Sequence, residues 1–299
     1  MLAFRTITVD GTDVFYRQGG ESRAPALLLL HGFPSSSAQY QSLMERLEDR
    51  YHVIAPDYPG FGRSPALTGT TTFARIADVI DGFTDAVGLD RFSLYMFDFG
   101  SPVGFRLATR HPERVQALVL QNGNAYEEGL GPGMQALKPY WDDRAANDAA
   151  IRGFLRLDAT RSQYLDGVAD AATVNPDLWE LDQRYLELPG RDRVMLDLLY
   201  DYQSNVELYP RWQGYLRANE PPALLPWGQN DRFFPPEGAR AYLRDLPEAE
   251  LHLLDTGHFA TATHTEELAE LIADFLDRRV RDGGSVRGKD EVHLAHRAG

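Results

Sequence analysis

Phe92-Ser93-Leu94-Tyr95-Met96-Phe97-Asp98-Phe99-Gly100-Ser101-Pro102-Val103-Gly104 is the stretch on which the reading of this chain turns. Its first half is apolar at strand spacing, Asp98-Phe99-Gly100 is a tight break, and an amphipathic segment, residues 105–110, follows. Strand, sharp turn and helix in that order predict a nucleophile elbow, a turn that presents one side chain above the end of a sheet. Elbows usually carry Ser; here Asp98 stands at the apex. A carboxylate in that position can attack an electrophilic carbon and form a covalent ester. The plainer reading makes Asp98 an N-cap of the following helix, a position Asp favours. The motifs on either side weigh against it.

Upstream of the elbow, residues 6–9 and 14–17 flank Asp10-Gly11 and predict a hairpin. Residues 27–30 (Leu-Leu-Leu-Leu) form a short continuous apolar run, expected of a strand buried on both faces, and end in His31-Gly32-Phe33-Pro34. Residues 51–55 predict another buried strand, closed by the turn-rich residues 57–65. Gly60-Phe61-Gly62 within them lacks the third glycine of a dinucleotide fingerprint and precedes no immediate helix, so it reads as a turn. Residues 72–87 have helical spacing, and 115–120 predict a strand after the elbow helix.

Strands alternating with helices predict an α/β fold, a mostly parallel, doubly wound sheet covered on both faces. From 123 to 222 the pattern turns helical and rich in Asp, Tyr and Trp, with no clear buried strand. Residues 223–227 restore a strand that runs into Gly228-Gln229-Asn230-Asp231. A helix (236–246) and a strand (250–254) then lead to Asp255-Thr256-Gly257-His258. The last helix is expected over 265–280. The expected organisation is a core of residues 1–122 and 223–280, a helical lid inserted at 123–222, and a loose C-terminal tail at 281–299.

The 299 residues suffice for one large α/β domain with an inserted lid or for two small domains. A formal charge of −14 argues against nucleic acid or an anionic membrane as partner. The absence of cysteine excludes disulfides, thiolate zinc sites and cysteine nucleophiles. Residues 1–10 lead straight into strand-like alternation, without the pattern of a targeting leader, and no apolar run reaches the length of a membrane span. The expectation is a soluble cytoplasmic protein that needs no cofactor or metal. Its oligomeric state is left open.

In open α/β sheets, ligands sit beyond the carboxyl ends of the strands. His31-Gly32-Phe33-Pro34, Asp98, Asp231 and His258 all end expected strands, so they should share one edge. Nucleophile, acid, then histidine is the triad order of the α/β-hydrolase superfamily, which the sequence resembles over about residues 1–280. The resemblance implies an α/β-hydrolase fold with Asp98 as nucleophile, Asp231 as acid and His258 as base. It also implies that His31-Gly32-Phe33-Pro34 is the oxyanion loop, with the N–H groups of Phe33 and Phe99 facing the oxyanion and Phe33–Pro34 a candidate cis bond. His264 is a rival base placed past the strand end. The rival acid position, after the strand ending near Gln121, holds Asn122.

The branches of the superfamily that use Asp are epoxide hydrolases, haloalkane dehalogenases and haloacetate dehalogenases. Haloalkane dehalogenases usually place Trp after the nucleophile, and some add Asn in the oxyanion loop; Phe99 and Phe33 stand at those positions here. Haloacetate dehalogenases carry arginines after the nucleophile, where this chain has Phe99 and Pro102. Epoxide hydrolases supply two lid tyrosines as proton donors, and Tyr140 and Tyr202 lie at corresponding places, with Tyr164 the replacement. Epoxide hydrolases, however, often read Gly-His before the nucleophile and Trp after it, where this chain has Met96-Phe97 and Phe99. The resemblance is therefore closest to epoxide hydrolases acting on a small apolar electrophile. A dehalogenase with Trp141 or Trp212 as halide donor, and a hydrolase-fold binding protein without catalysis, are the alternatives.

Overall fold

A computed structural model describes residues 1–281. Its strands are β1 (Ala3–Val9), β2 (Thr12–Gly19), β3 (Ala26–Leu30), β4 (His52–Pro56), β5 (Phe92–Phe97), β6 (Val115–Gln121), β7 (Ala223–Gly228) and β8 (Glu250–Leu254). They form one sheet in the order β1-β2-β4-β3-β5-β6-β7-β8. The pairs β1–β2 and β2–β4 are antiparallel, and every later pair is parallel.

The central strands are apolar throughout because they are covered on both faces. Leu28, Leu30, Leu94, Met96, Leu118 and Leu120 point into one hydrophobic cluster. Their neighbours Leu27, Leu29, Tyr95, Phe97 and Val119 point into the other. That is the period-two alternation of a strand acting inside an unbroken apolar run. Helices α1 (Gln41–Leu47), the short α12 (Ala260–Thr263) and α13 (Thr265–Leu276) cover the second face, and α2 (Phe73–Ala86), α3 (Gly100–Arg110) and α11 (Pro236–Asp245) the first. Helix α13 ends at Leu276 and passes into a wider turn, Asp277–Arg281, four residues short of the expected limit. The expected tail, 281–299, lies outside the described residues except for its first.

Between β6 and β7 the described elements are all helical: α4 (Pro132–Gln135), α5 (Lys138–Asp142), α6 (Arg144–Ile151), α7 (Leu157–Leu165), α8 (Asp177–Leu186), α9 (Arg191–Asp201) and α10 (Gln203–Asn219), with short 3-10 turns among them. Two acids of α9 tie this insertion to the core. Asp197 Oδ2 accepts from the Thr71 N–H at 3.1 Å, and Asp201 Oδ2 from the Phe73 N–H at 2.8 Å. Both carboxylates lie at the start of α2, where free N–H groups and the helix dipole favour negative charge. From the core side, Arg106 of α3 donates to Asn205 Oδ1 at 2.7 Å. Among the described residues no helix is long and apolar enough to cross a membrane.

Candidate active site

Strand β5 ends at Phe97, α3 starts at Gly100, and the two residues between them make the turn. Asp98 has φ +48°, in the left-handed region that side chains other than glycine enter at a cost of about 1–3 kcal/mol. Its backbone is pinned on both sides: the Asp98 N–H donates to Asn122 O at 3.3 Å, and its carbonyl accepts from the Ser101 N–H at 3.0 Å. A Cβ on Gly100 would lie 2.1 Å from Leu30 O, so only glycine lets α3 begin this close to β3. A Cβ on Gly32 would lie 2.3 Å from Asp98 Cβ, a measure of how tightly the loop after β3 presses on the carboxylate.

That loop supplies the first donor. The Phe33 N–H donates to Asp98 Oδ1 at 2.6 Å, and the Phe99 N–H also bonds the carboxylate. The Phe33–Pro34 peptide is cis. His31 braces the loop: its Nε2 accepts from the Tyr58 N–H at 3.1 Å, and its ring stacks on Tyr58 at 4.0 Å. Burial lowers its pKa to about 3, so this imidazole stays neutral. Donors placed this way would stabilise charge developing on the oxygen of a tetrahedral intermediate.

Strands β7 and β8 end at the same edge as β5, and the turns that follow them carry Asp231 and His258. His258 Nδ1 lies 2.7 Å from Asp231 Oδ2 and Nε2 lies 3.7 Å from Asp98 Oδ2. The second separation is too long for a hydrogen bond, and Nε2 has no hydrogen-bond partner among the described residues. Asp231 also accepts from the Phe233 N–H at 2.7 Å and from Asn122 Nδ2 at 2.9 Å. Facing donors only, it is placed as a carboxylate that keeps the His258 proton on Nδ1 and the Nε2 lone pair toward Asp98. His264, the rival base, bonds Thr263 Oγ1 at 2.9 Å just before α13.

Asn122 holds Asp231 rather than replacing it. Its amide also donates to Gly228 O at 3.1 Å, and its Oδ1 accepts from the Gly228 N–H at 2.8 Å and from Gln121 Nε2 at 2.8 Å. Gln121 Nε2 further donates to His258 O at 2.9 Å. Two polar residues at the end of β6 thus fix the backbone of His258 and the side chain of Asp231, which no local sequence pattern announces.

Burial raises the Asp98 carboxyl to about 6, with Asp231 adding to it. The His258 ring and the N–H groups of Phe33 and Phe99 pull the other way. For His258, burial pulls the pKa down, but the Asp231 carboxylate and then Asp98 outweigh it, and the net shift is upward. Asp98 and His258 are 6% and 3% exposed, so a charge on either is felt strongly by the other.

A cavity of about 20 Å³ opens against Asp98. The core lines it with Phe33, Phe99 and Phe233, and the insertion with Gly133, Met134, Leu137, Phe154, Gln163 and Leu199. Of the aromatics of the insertion named from sequence, none lines this cavity, and Tyr202 is the one that packs on Phe99, the residue after Asp98. It sits at the junction of α9 and α10, with its ring centroid 6.0 Å from Phe99 and 5.9 Å from Phe73. Its hydroxyl is 3.4 Å from that of Tyr209, which accepts from Asn124 Nδ2 at 3.1 Å. Burial, with Tyr209 and Asp98 adding to it, keeps the Tyr202 phenol firmly protonated.

The other named residues are engaged elsewhere. The Tyr140 hydroxyl donates to Leu196 O at 3.3 Å and accepts from Arg144 Nε at 3.1 Å, and the ring does not line the cavity. Trp141 spends its indole N–H on Leu199 O at 2.9 Å, its ring parallel to Tyr202. Tyr164 bonds Asp182 and stacks on Phe259 at 4.0 Å. Trp212 stacks on Phe105 at 5.2 Å inside the core. Sequence reasoning passed over Gln163, Leu199, Phe154 and Phe233. No motif marks them; they reach Asp98 only through the packing of the insertion on the core.

The fold and this edge of the sheet define the class. The chain belongs to the α/β-hydrolase fold family, whose pattern it matches over residues 25–265, and it is a hydrolase of that fold. An uncharacterised hydrolase of Saccharomyces cerevisiae is 40% identical over 273 residues, spanning 88% of this chain and 93% of that protein. A 2-hydroxy-6-oxononadienedioate/2-hydroxy-6-oxononatrienedioate hydrolase of Burkholderia vietnamiensis is 27% identical over 91% of this chain and 94% of its own. The haloalkane dehalogenase DbeA of Bradyrhizobium elkani superposes with a TM-score of 0.69 at 23% identity, covering 92% of this chain and 99% of that one. At that identity the likeness is one of fold.

Proposed function

We propose that the protein opens small epoxides to vicinal diols through an ester on Asp98, with residues 123–222 acting as the lid over the reaction. An Asp98 oxygen attacks an epoxide carbon, the ring C–O bond breaks, and its electron pair passes to the ring oxygen, which takes the proton of Tyr202. His258 Nε2 then removes a proton from water, and the resulting hydroxide adds to the carbonyl carbon of the ester. The N–H groups of Phe33 and Phe99 hold the oxyanion. Collapse expels the diol oxygen, which takes the proton from His258. The Asp98 acid left behind returns a proton through solvent to the tyrosinate of Tyr202, so the balance is epoxide plus water giving diol.

One observation carries the epoxide over the halide: a protonated phenol, Tyr202, packs beside Phe99, whereas the positions that serve halide are occupied or spent. Phe33 and Phe99 bring carbon where N–H side chains would be required, and the Trp141 indole is bonded to Leu199 O. Halide, a weak base, gains little from a proton donor, while an opening epoxide needs one.

The test is turnover of a panel of small epoxides with halide release from haloalkanes measured in parallel, together with a single turnover in ¹⁸O-water. Diol formation with label in the Asp98 carboxylate is expected. Label found only in the product rules out the Asp98 ester, and chloride release without diol formation selects dehalogenation.

A further inference from the structure

The cavity at Asp98 is apolar except for two side chains, Asp98 itself and Gln163. Gln163 is 4% exposed, and none of the hydrogen bonds among the described residues uses its amide. Its amide is not sealed off, because the side chain lines the cavity. It is held there by its neighbours on α7. Thr160 Oγ1 donates to Gln183 Oε1 at 2.8 Å, and Tyr164 bonds Asp182, so α7 is fastened to α8 on either side of Gln163. The helix cannot turn to hide the amide elsewhere without breaking both bonds.

A simple epoxide has one polar atom, its ring oxygen, and that atom acquires negative charge as Asp98 attacks. We infer that the Gln163 amide N–H is a catalytic hydrogen-bond donor to the epoxide oxygen, acting beside Tyr202 in the place of a second lid tyrosine. The inference rests on the epoxide reading above. The amide transfers no proton; it lowers the energy of the forming alkoxide, and the proton still comes from Tyr202. This explains how one phenol suffices while the Tyr140 hydroxyl stays bonded to Leu196 O and Arg144.

The experiment is rapid-quench single turnover of propylene oxide by the full chain, following the mass of the Asp98 adduct, with wild type, Gln163→Leu and Gln163→Glu. Gln163→Leu removes the donor at nearly constant volume and should slow ester formation about 10²-fold. Ester hydrolysis and the melting temperature should stay unchanged, because neither depends on the amide. Gln163→Glu preserves the shape but sets an acceptor-only carboxylate against the forming alkoxide at pH 8, so it should slow ester formation at least as much.

Ester formation at the wild-type rate in Gln163→Leu would overturn the role of Gln163 and leave the epoxide reading standing. An equal loss in both steps with a lowered melting temperature would do the same, marking Gln163 as structural. A wild type that opens no epoxide would instead end the epoxide reading, and this inference with it.

Discussion

In the proposed reaction Asp98 must be ionised to attack; its carboxyl is raised to about 6 chiefly by burial, so ester formation should climb with pH through about 6. His258 must be neutral to act as base. Its pKa lies above the ordinary 6.5, since Asp231 and Asp98 outweigh burial. Esterification removes the Asp98 charge and with it one of the causes that raise His258. The midpoint for ester hydrolysis should therefore fall below the pKa of His258 in the free enzyme. Pre-steady-state pH profiles compared with imidazole NMR titration check this, and coincident midpoints would show that the two groups do not interact. His258→Gln should trap the ester, with hydrolysis slowed about 10²–10⁴-fold. Intact-protein mass spectrometry reads the adduct, and a variant that turns over without accumulating it would exclude His258 as base. The same burial destabilises the fold. A carboxyl raised from its ordinary value near 3.9 adds stability below that value and loses it as pH rises through about 6. Asp98→Asn should thus raise the melting temperature at pH 8, by an amount corresponding to roughly 2–3 kcal/mol, and little at pH 4. Calorimetry at the two pH values reads the difference.

Helix α9 is an element that ties the insertion to the core beside Asp98. Asp201 caps α2 through the Phe73 N–H, and the next residue, Tyr202, packs on Phe73 and Phe99. Losing a cap of this kind costs about 1 kcal/mol. Asp201→Ala should therefore lower the melting temperature by a few degrees and slow ester formation by loosening Tyr202, while ester hydrolysis, which uses His258 and the elbow, keeps its rate. A parallel loss in both steps would mean that α9 supports the whole edge rather than the phenol. At the end of β6, Asn122 does comparable work for the acid, bridging Gly228 and Asp231.

At the scale of the whole molecule, the cavity at Asp98 lies in the seam between the sheet edge and the helical insertion. Its volume of about 20 Å³ is near the space of a single water, so it admits a substituent of only a few atoms beside Asp98 without rearrangement. Met134, from α4, is one of the buried residues closing it. Met134→Ala should enlarge the seam and raise the rate with styrene oxide relative to propylene oxide in direct competition. Removing so buried a side chain costs about 2–5 kcal/mol of stability, so the assay belongs well below the melting temperature. An unchanged ratio would show that the size limit is set elsewhere, Leu137 and Phe154 being the next residues to change.

The eight strands, the elbow and the glycines around it were legible in the sequence because their causes are local. An unbroken apolar run such as residues 27–30 has no polar face to offer solvent, and Asp98-Phe99-Gly100 interrupts strand spacing where a helix begins. The meeting of Asp98, Asp231 and His258 at one edge follows from topology, since parallel strands all end on the same side of a sheet. The insertion was different. Its tyrosines look alike along the chain, yet one hydroxyl faces Leu196 O, one faces Asp182 and one faces the Tyr209 hydroxyl while its ring packs on Phe99. Gln163 resembles any helical glutamine until α7 is packed. Which way a side chain points on a short amphipathic helix depends on the rotation of that helix against its neighbours, and that is the sum of many distant contacts. No window of sequence contains that sum, so only the tertiary structure decided which residues of the insertion line the cavity at Asp98.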